Sequence, residues 1–200
     1  ETSIGITVSD GEYSDSSYFN LTINPVNDAP ALTAVDDQSV EEGETFTYTL
    51  SSNDVDGDEI IYNAVSDSNV VISVDGSELN IFSADENFNG ESLVFVEVDD
   101  GEYTDSDIFT LIFTPVNDAP VLSEIENKQI EEGSYLVHSL SASDVDGDNL
   151  EFSAELTGTG VVNLTGNILT VTPEPEFNGD LLISITVSDG EYSDSGEFTL

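Results

Sequence analysis

A repeat of about 90 residues constrains this chain more than any other feature of its sequence. Pro25-Val26-Asn27-Asp28-Ala29-Pro30 returns as Pro115-Val116-Asn117-Asp118-Ala119-Pro120. Asp54-Val55-Asp56-Gly57-Asp58 returns as Asp144-Val145-Asp146-Gly147-Asp148. Glu41-Glu42-Gly43 and Phe88-Asn89-Gly90 recur as Glu131-Glu132-Gly133 and Phe177-Asn178-Gly179, and an Asp-Gly-Glu-Tyr turn starts at Asp10, Asp100 and Asp189. The period divides the chain into three expected parts. Residues 1–24 read as the C-terminal two strands of a truncated preceding repeat, 25–114 as a complete repeat, and 115–200 as a second repeat with its last strand cut short. A repeat of this size can carry its own small core.

Within each repeat the apolar residues alternate. Phe46-Thr47-Tyr48-Thr49-Leu50 changes polarity at every step, the period of a half-buried strand, and no segment holds a helical period. The middle repeat reads as strands at about 38–41, 44–50, 59–65, 70–74, 78–82, 92–98 and 105–114, separated by Gly, Asn and Asp turns. Seven short strands predict an all-β chain of tandem Ig-like, Greek-key β-sandwich domains. Equivalent positions assign the inward faces. Val94, Val96 and Val98 match Ile183, Ile185 and Val187, and also Ile4, Ile6 and Val8. Phe109, Leu111 and Phe113 match Phe19, Leu21 and Ile23, with Phe198 and Leu200 in the second repeat. The Val-Asn-Asp-Ala-Pro linkers have no Gly or Ser run, and their Pro restricts the backbone.

Charge excludes several functions. The 200 residues hold 43 Asp and Glu against a single Lys and no Arg, a formal net charge of −42. Nucleic-acid binding needs cations to neutralise phosphates, so no nucleic-acid partner is expected. No apolar run is long enough to span a bilayer, and no basic patch can anchor to one. With no Cys there is no disulfide framework or thiol site.

In so acidic a chain most carboxylates are solvated surface. Asp54, Asp56 and Asp58, with Asp144, Asp146 and Asp148, stand out because they recur at the repeat period and cluster in one loop. Alternating Asp around a Gly can aim several oxygens at one hard cation such as Ca²⁺. The same pattern also suits an Asx-turn loop whose carboxylates bond only backbone. The Gly precedes the third Asp and strands flank it, which excludes an EF-hand.

Val8-Ser9-Asp10-Gly11-Glu12-Tyr13-Ser14-Asp15-Ser16, an alternating strand from Tyr18 to Ile23, and then Val-Asn-Asp-Ala-Pro resemble the end of a cadherin repeat. Asp54-Val55-Asp56, lying 26 residues after Asp28, resembles the cadherin Asp-x-Asp motif. The order covers essentially the whole chain, so the resemblance is to bacterial cadherin-like tandem repeats. It implies Ca²⁺ between successive repeats, held at one junction by Glu41 or Glu42, Asp85, Asn117, Asp118, Asp144, Asp146 and Asp189. At the other junction it implies Asn27, Asp28, Asp54, Asp56 and Asp100. Pro115 and Ala119 depart from the animal linker pattern, which implies fewer ions per junction and affinities of about 10⁻⁴–10⁻³ M.

Other residues read as structural. His138 aligns with Tyr48 on an inward face and has no recurring nucleophile beside it. Asn20 and Asn163 match a glycosylation pattern by chance. Tyr13, Tyr103 and Tyr192 close hairpins rather than form a sugar platform. Phe95 faces outward beside Leu93, where the other copies have Gly5 and Ser184, and hints at a surface contact. No carboxylate pair joins an Arg, a His or an aromatic cleft, so no catalysis is expected. The resulting expectation is a calcium-stiffened spacer and adhesion module of a secreted or cell-surface bacterial protein. Its expected partners are Ca²⁺, the neighbouring repeats, and a cell-surface protein or polysaccharide. The alternative is a carbohydrate-binding module of a polysaccharide-active extracellular protein.

Overall fold

The protein is described by a computed structural model covering residues 2–200. The described residues are strands, turns and extended linkers, with no helix among them. Contacts divide the chain into two compact units, one reaching to Thr114 and one running Pro115–Leu200.

The first unit opens with a hairpin of β1 (Thr2–Ser9) and β2 (Ser14–Leu21), paired from Thr2 opposite Leu21 to Ser9 opposite Ser14. The sandwich follows as β3 (Ala31–Leu32), β4 (Gln38–Glu41), β5 (Phe46–Thr49), β6 (Ser52–Asn53), β7 (Ile61–Ser66), β8 (Val70–Asp75), β9 (Glu78–Ser83), β10 (Gly90–Asp99) and β11 (Thr104–Thr114). One sheet has the order β4-β11-β10-β7 and the other β5-β9-β8, while β3 pairs with β6. All pairs are antiparallel except β4 with β11. This is the Ig-like sandwich that the alternation predicts, and its seven longer strands lie within two residues of the expected bounds. The short β3–β6 pair was not legible in the sequence.

Side-chain alternation places the core. Val94 and Val96 of β10 and Phe109, Leu111 and Phe113 of β11 are buried against Phe46, Leu79 and Ile81 of the facing sheet. Each fully buried side chain of this size contributes roughly 1.5–3 kcal/mol. Phe113 meets Phe88 edge-on, with ring centroids 5.6 Å apart.

The second unit repeats the plan with β12 (Val121–Leu122), β13 (Leu136–Ser139), β14 (Ala142–Ser143), β15 (Glu151–Thr157), β16 (Gly160–Thr165), β17 (Ile168–Pro173), β18 (Leu182–Ser188) and β19 (Ser193–Thr199). Its sheets are β13-β17-β16 and β15-β18-β19, with β12 paired to β14. Ile183, Ile185, Leu169, Val171 and Phe198 fill its core. His138 is half-buried with its ring 6.5 Å from that of Phe198, a packing position like that of Tyr48.

The hairpin shares the strand pattern but not the burial. Ile6 and Val8 are 59% and 69% exposed, whereas Val96 and Val98, at the matching positions of β10, are fully buried. Its apolar face therefore lacks the opposing sheet that covers β10 and β11.

Candidate metal centre

Each sandwich gathers three acidic segments at one pole: the entering linker, the Asp-Val-Asp-Gly-Asp loop and the Asp-Gly turn. The loop after β6 is organised by Asp54. Its Oδ1 accepts backbone N–H groups from Asp56 at 2.9 Å, Gly57 at 2.8 Å and Asp58 at 3.2 Å. Gly57 has φ of 80°, in the left-handed region, so the turn needs glycine there. Asp144 repeats the arrangement with Asp146 at 3.0 Å, Gly147 at 3.1 Å and Asp148 at 3.3 Å.

One oxygen of Asp54 thus builds the Asx turn. The other, Oδ2, is buried and has no hydrogen-bond partner, and the same holds for Asp144 Oδ2. A buried carboxylate oxygen without a donor is costly, and its recurrence in both repeats asks for a ligand. Within each loop the three Asp residues can bring one carboxylate oxygen apiece to within 4.8 Å of one another. Three negative charges at that spacing repel unless a cation lies among them. The Asx-turn and cation readings of the motif therefore combine, because one oxygen serves each.

The linker is tied to the same pole. The Asp28 N–H donates to Asp56 Oδ2 at 2.8 Å, and Asp118 N–H to Asp146 Oδ2 at 2.8 Å. The Asn27 amide donates to Asp100 Oδ2 at 3.0 Å, and the Asn117 amide to Asp189 Oδ2 at 3.0 Å. Asp100 Oδ1 also accepts the N–H groups of Tyr103 at 2.7 Å and Glu102 at 2.8 Å. Those two backbone donors, and then the Asn27 amide, hold the Asp100 carboxyl below its ordinary range. At Asp189 burial opposes ionisation, but the Glu191 N–H, the Asn117 amide and the Tyr192 N–H together outweigh it. Asp10 has the same two backbone donors, Tyr13 and Glu12, and is lowered too. In all three turns the tyrosine contributes its backbone, while the rings of Tyr13, Tyr103 and Tyr192 remain exposed.

Of the residues singled out from sequence, Asn27, Asp28, Asp54, Asp56 and Asp100 meet at this pole of the first sandwich. Asn117, Asp118, Asp144, Asp146 and Asp189 meet at the same pole of the second. Asp58 and Asp148 join them through the loop. Glu41, Glu42 and Asp85 lie at the opposite pole of the first sandwich, where β11 ends. Glu42 is buried there; its N–H donates to Thr114 O at 2.9 Å and its Oε2 accepts the Asn89 amide at 3.1 Å. Asp85 Oδ1 caps the Asn87 N–H at 3.2 Å.

Sequence reasoning missed a second use of carboxylates. Asp105 Oδ2 accepts the Leu32 N–H, Asp107 Oδ2 the Val35 N–H and Asp37 Oδ1 the Thr110 N–H, at 2.8, 2.8 and 2.7 Å. These bonds staple the segment after the linker to β11. Asp194 does the same for Leu122 at 2.8 Å. The recurrence of Asp105 at Asp15 and Asp194 was the available signal.

Comparison with known proteins adds the following. The profile of a family described as Bacterial Ig domain matches residues 27–112 and again 117–200. Chitinase A of Pseudoalteromonas piscicida is 25% identical over 207 residues, covering 94% of this chain and 25% of that protein. The chain thus spans about a quarter of that curated relative. Among solved structures, human protocadherin-24 EC1-2 superposes with a TM-score of 0.52 at 15% identity, covering 87% of this chain and 97% of that one. Mouse protocadherin-24 EC1-3 gives 0.53 at 12% identity, covering 99% and 78%. These likenesses establish the fold.

Proposed function

The chain belongs to the bacterial Ig domain family, and from that premise we propose that it is a non-catalytic, calcium-binding tandem module of a secreted or cell-surface protein. The observation that carries the calcium reading is the buried, unpartnered Oδ2 of Asp54 and of Asp144. Hard oxygen donors in number, with no nitrogen or sulfur ligand, suit Ca²⁺. In the first sandwich the ligands are Asp54, Asp56, Asp58, Asp28 and Asp100, with the Asn27 carbonyl oxygen. In the second they are Asp144, Asp146, Asp148, Asp118 and Asp189, with the oxygen of Asn117.

The mechanism is electrostatic and local. Without the cation, the linker and two acidic loops repel one another where the chain enters each domain. With it, one charge is shared among ligands from all three segments, which orders the entry to the sandwich and stiffens the tandem array.

The similarity to a stretch of Chitinase A favours a host protein that acts on polysaccharide. Here the module is a spacer that presents another domain, since each Asp-Gly turn carries a single tyrosine ring. A calorimetric titration of the chain with Ca²⁺, with Mg²⁺ as control, tests the proposal. Calcium at 100 times its dissociation constant adds about 2.7 kcal/mol, which raises the melting temperature of a domain this size by roughly 10–20 °C. A melting temperature indifferent to calcium contradicts it.

A further inference from the structure

The outer face of the β10 sheet in the first sandwich carries an apolar cluster with no counterpart in the second. Phe95 lies opposite Ile108 of β11 on one side and Val65 of β7 on the other. Leu93 follows on the same face of β10. Val65, Leu93 and Ile108 are 61%, 62% and 60% exposed, and Phe95 is half-buried among them. Nothing in the fold of the domain requires this. At the matching register the second sandwich has Glu155, Ser184 and Glu197, and the Ser184 hydroxyl donates to Glu197 Oε1 at 2.8 Å. The hairpin has Gly5 opposite Tyr18. The second sandwich thus shows a polar outer face to be compatible with the fold, and the first has Phe, Ile and Val in its place. A contiguous exposed apolar patch rimmed by polar groups marks an interaction site.

The charge around the patch selects the occupant. Glu97 follows Phe95 on the same face of β10, with Asn63 and Ser106 beside it, and Glu91 lies opposite Ile112 at the other end. Residues 2–114 contain no Lys, Arg or His. A second copy of this chain is repelled by like charge, and so is an anionic polysaccharide. A neutral glycan needs flat aromatic platforms, and here one ring stands among branched aliphatic side chains. We propose that this face docks a cationic polypeptide surface, whose aliphatic or aromatic side chains cover Phe95, Ile108 and Val65 and whose Lys or Arg side chains meet Glu91 and Glu97. The cluster supplies the desolvated centre and the carboxylates the rim. It is separate from the calcium pole, and the inference stands whether or not calcium binds.

The test uses two labelled peptides of equal charge, one alternating Leu and Lys and the other Ser and Lys, with binding followed by fluorescence anisotropy in physiological salt. The whole chain binds the Leu–Lys peptide about ten-fold tighter than the Ser–Lys peptide. The triple variant Val65→Glu, Phe95→Ser, Ile108→Glu adopts the residues of the second sandwich, so it folds, and it adds negative charge. It nevertheless loses the ten-fold preference. The reciprocal variant Glu155→Val, Ser184→Phe, Glu197→Ile gains a second preferring site. If the first variant keeps the preference, the patch is not the docking surface. Binding of a chitin oligosaccharide, or self-association in sedimentation, that the first variant abolishes overturns the assignment in favour of a glycan or a second copy.

Discussion

The side-chain amide of Asn27 donates to Asp100 Oδ2 across 73 residues of sequence, and Asn117 makes the same bond to Asp189 at the same distance of 3.0 Å. This contact turns the amide nitrogen toward the carboxylate and leaves the amide oxygen as the atom a cation can use. It also joins the first residue of the Asn-Asp linker pair to the turn between the last two strands of its own sandwich. The linker is therefore part of the domain that follows it, and the Asx loop meets the same short stretch through Asp28 and Asp118.

The amide at this position has a testable consequence. Replacing Asn27 or Asn117 by Asp exchanges a donor for a second carboxylate facing Asp100 or Asp189. The calcium-free protein is expected to melt at a lower temperature, because like charges now meet where a hydrogen bond stood. Calcium is expected to restore most of the loss, since the new group is itself an oxygen ligand. Thermal melts with and without chelator check both halves.

Acid should act on the two sandwiches differently. The His138 pKa is lowered, first by burial and then by Lys128. The unfolded chain therefore binds more protons than the folded one near the ordinary histidine value of 6.5. The contribution is complete above that value and is lost as pH falls through the lower folded pKa. The first sandwich has Tyr48 in place of the histidine at this position. The lowered Asp100 and Asp189 carboxyls contribute in the same sense further down, below their ordinary value of 3.8. Calcium-free melts between pH 7.5 and 5 are expected to destabilise the second sandwich alone, and His138→Tyr to remove the dependence.

Hydrogen exchange should separate three copies of one hairpin. The β10–β11 and β18–β19 pairs are covered by an opposing sheet, and β1–β2 is not. An isolated two-stranded hairpin is marginal in water. Amides of Ile6 and Phe19 are expected to exchange orders of magnitude faster than those of Val96 and Phe109, despite the same register. Equal protection would show that something covers the hairpin in solution.

The fold was legible because its longer strands alternate and repeat, so Val94, Val96 and Val98 could be assigned inward by matching Ile183, Ile185 and Val187. The pairs β3–β6 and β12–β14 were not legible. Two residues are too few to show a period, and these strands are positioned by side-chain staples from Asp105 and Asp194. The candidate site was legible in part. Recurrence singled out the Asp54 loop, but in a chain with 43 acids no local pattern distinguishes a staple such as Asp107 from a solvated carboxylate. Nor does sequence reveal that one oxygen of Asp54 builds the turn while the other is left without a donor. That division follows from the three-dimensional path of the loop around Gly57.

The most direct test of the calcium account removes charge from the two carboxylates whose Oδ2 lacks a partner while keeping the turn. In Asp54→Asn and Asp144→Asn, the side-chain carbonyl can still accept the three backbone N–H groups that Oδ1 accepts now, so the Asx loop persists. Calorimetric calcium titration of each variant is expected to lose one class of site and retain the other. The double variant should lose both and should melt at the same temperature with calcium as with chelator. Two single variants that titrate like the parent chain would contradict the central claim, because the cation would then bind elsewhere and the buried oxygens would need another explanation.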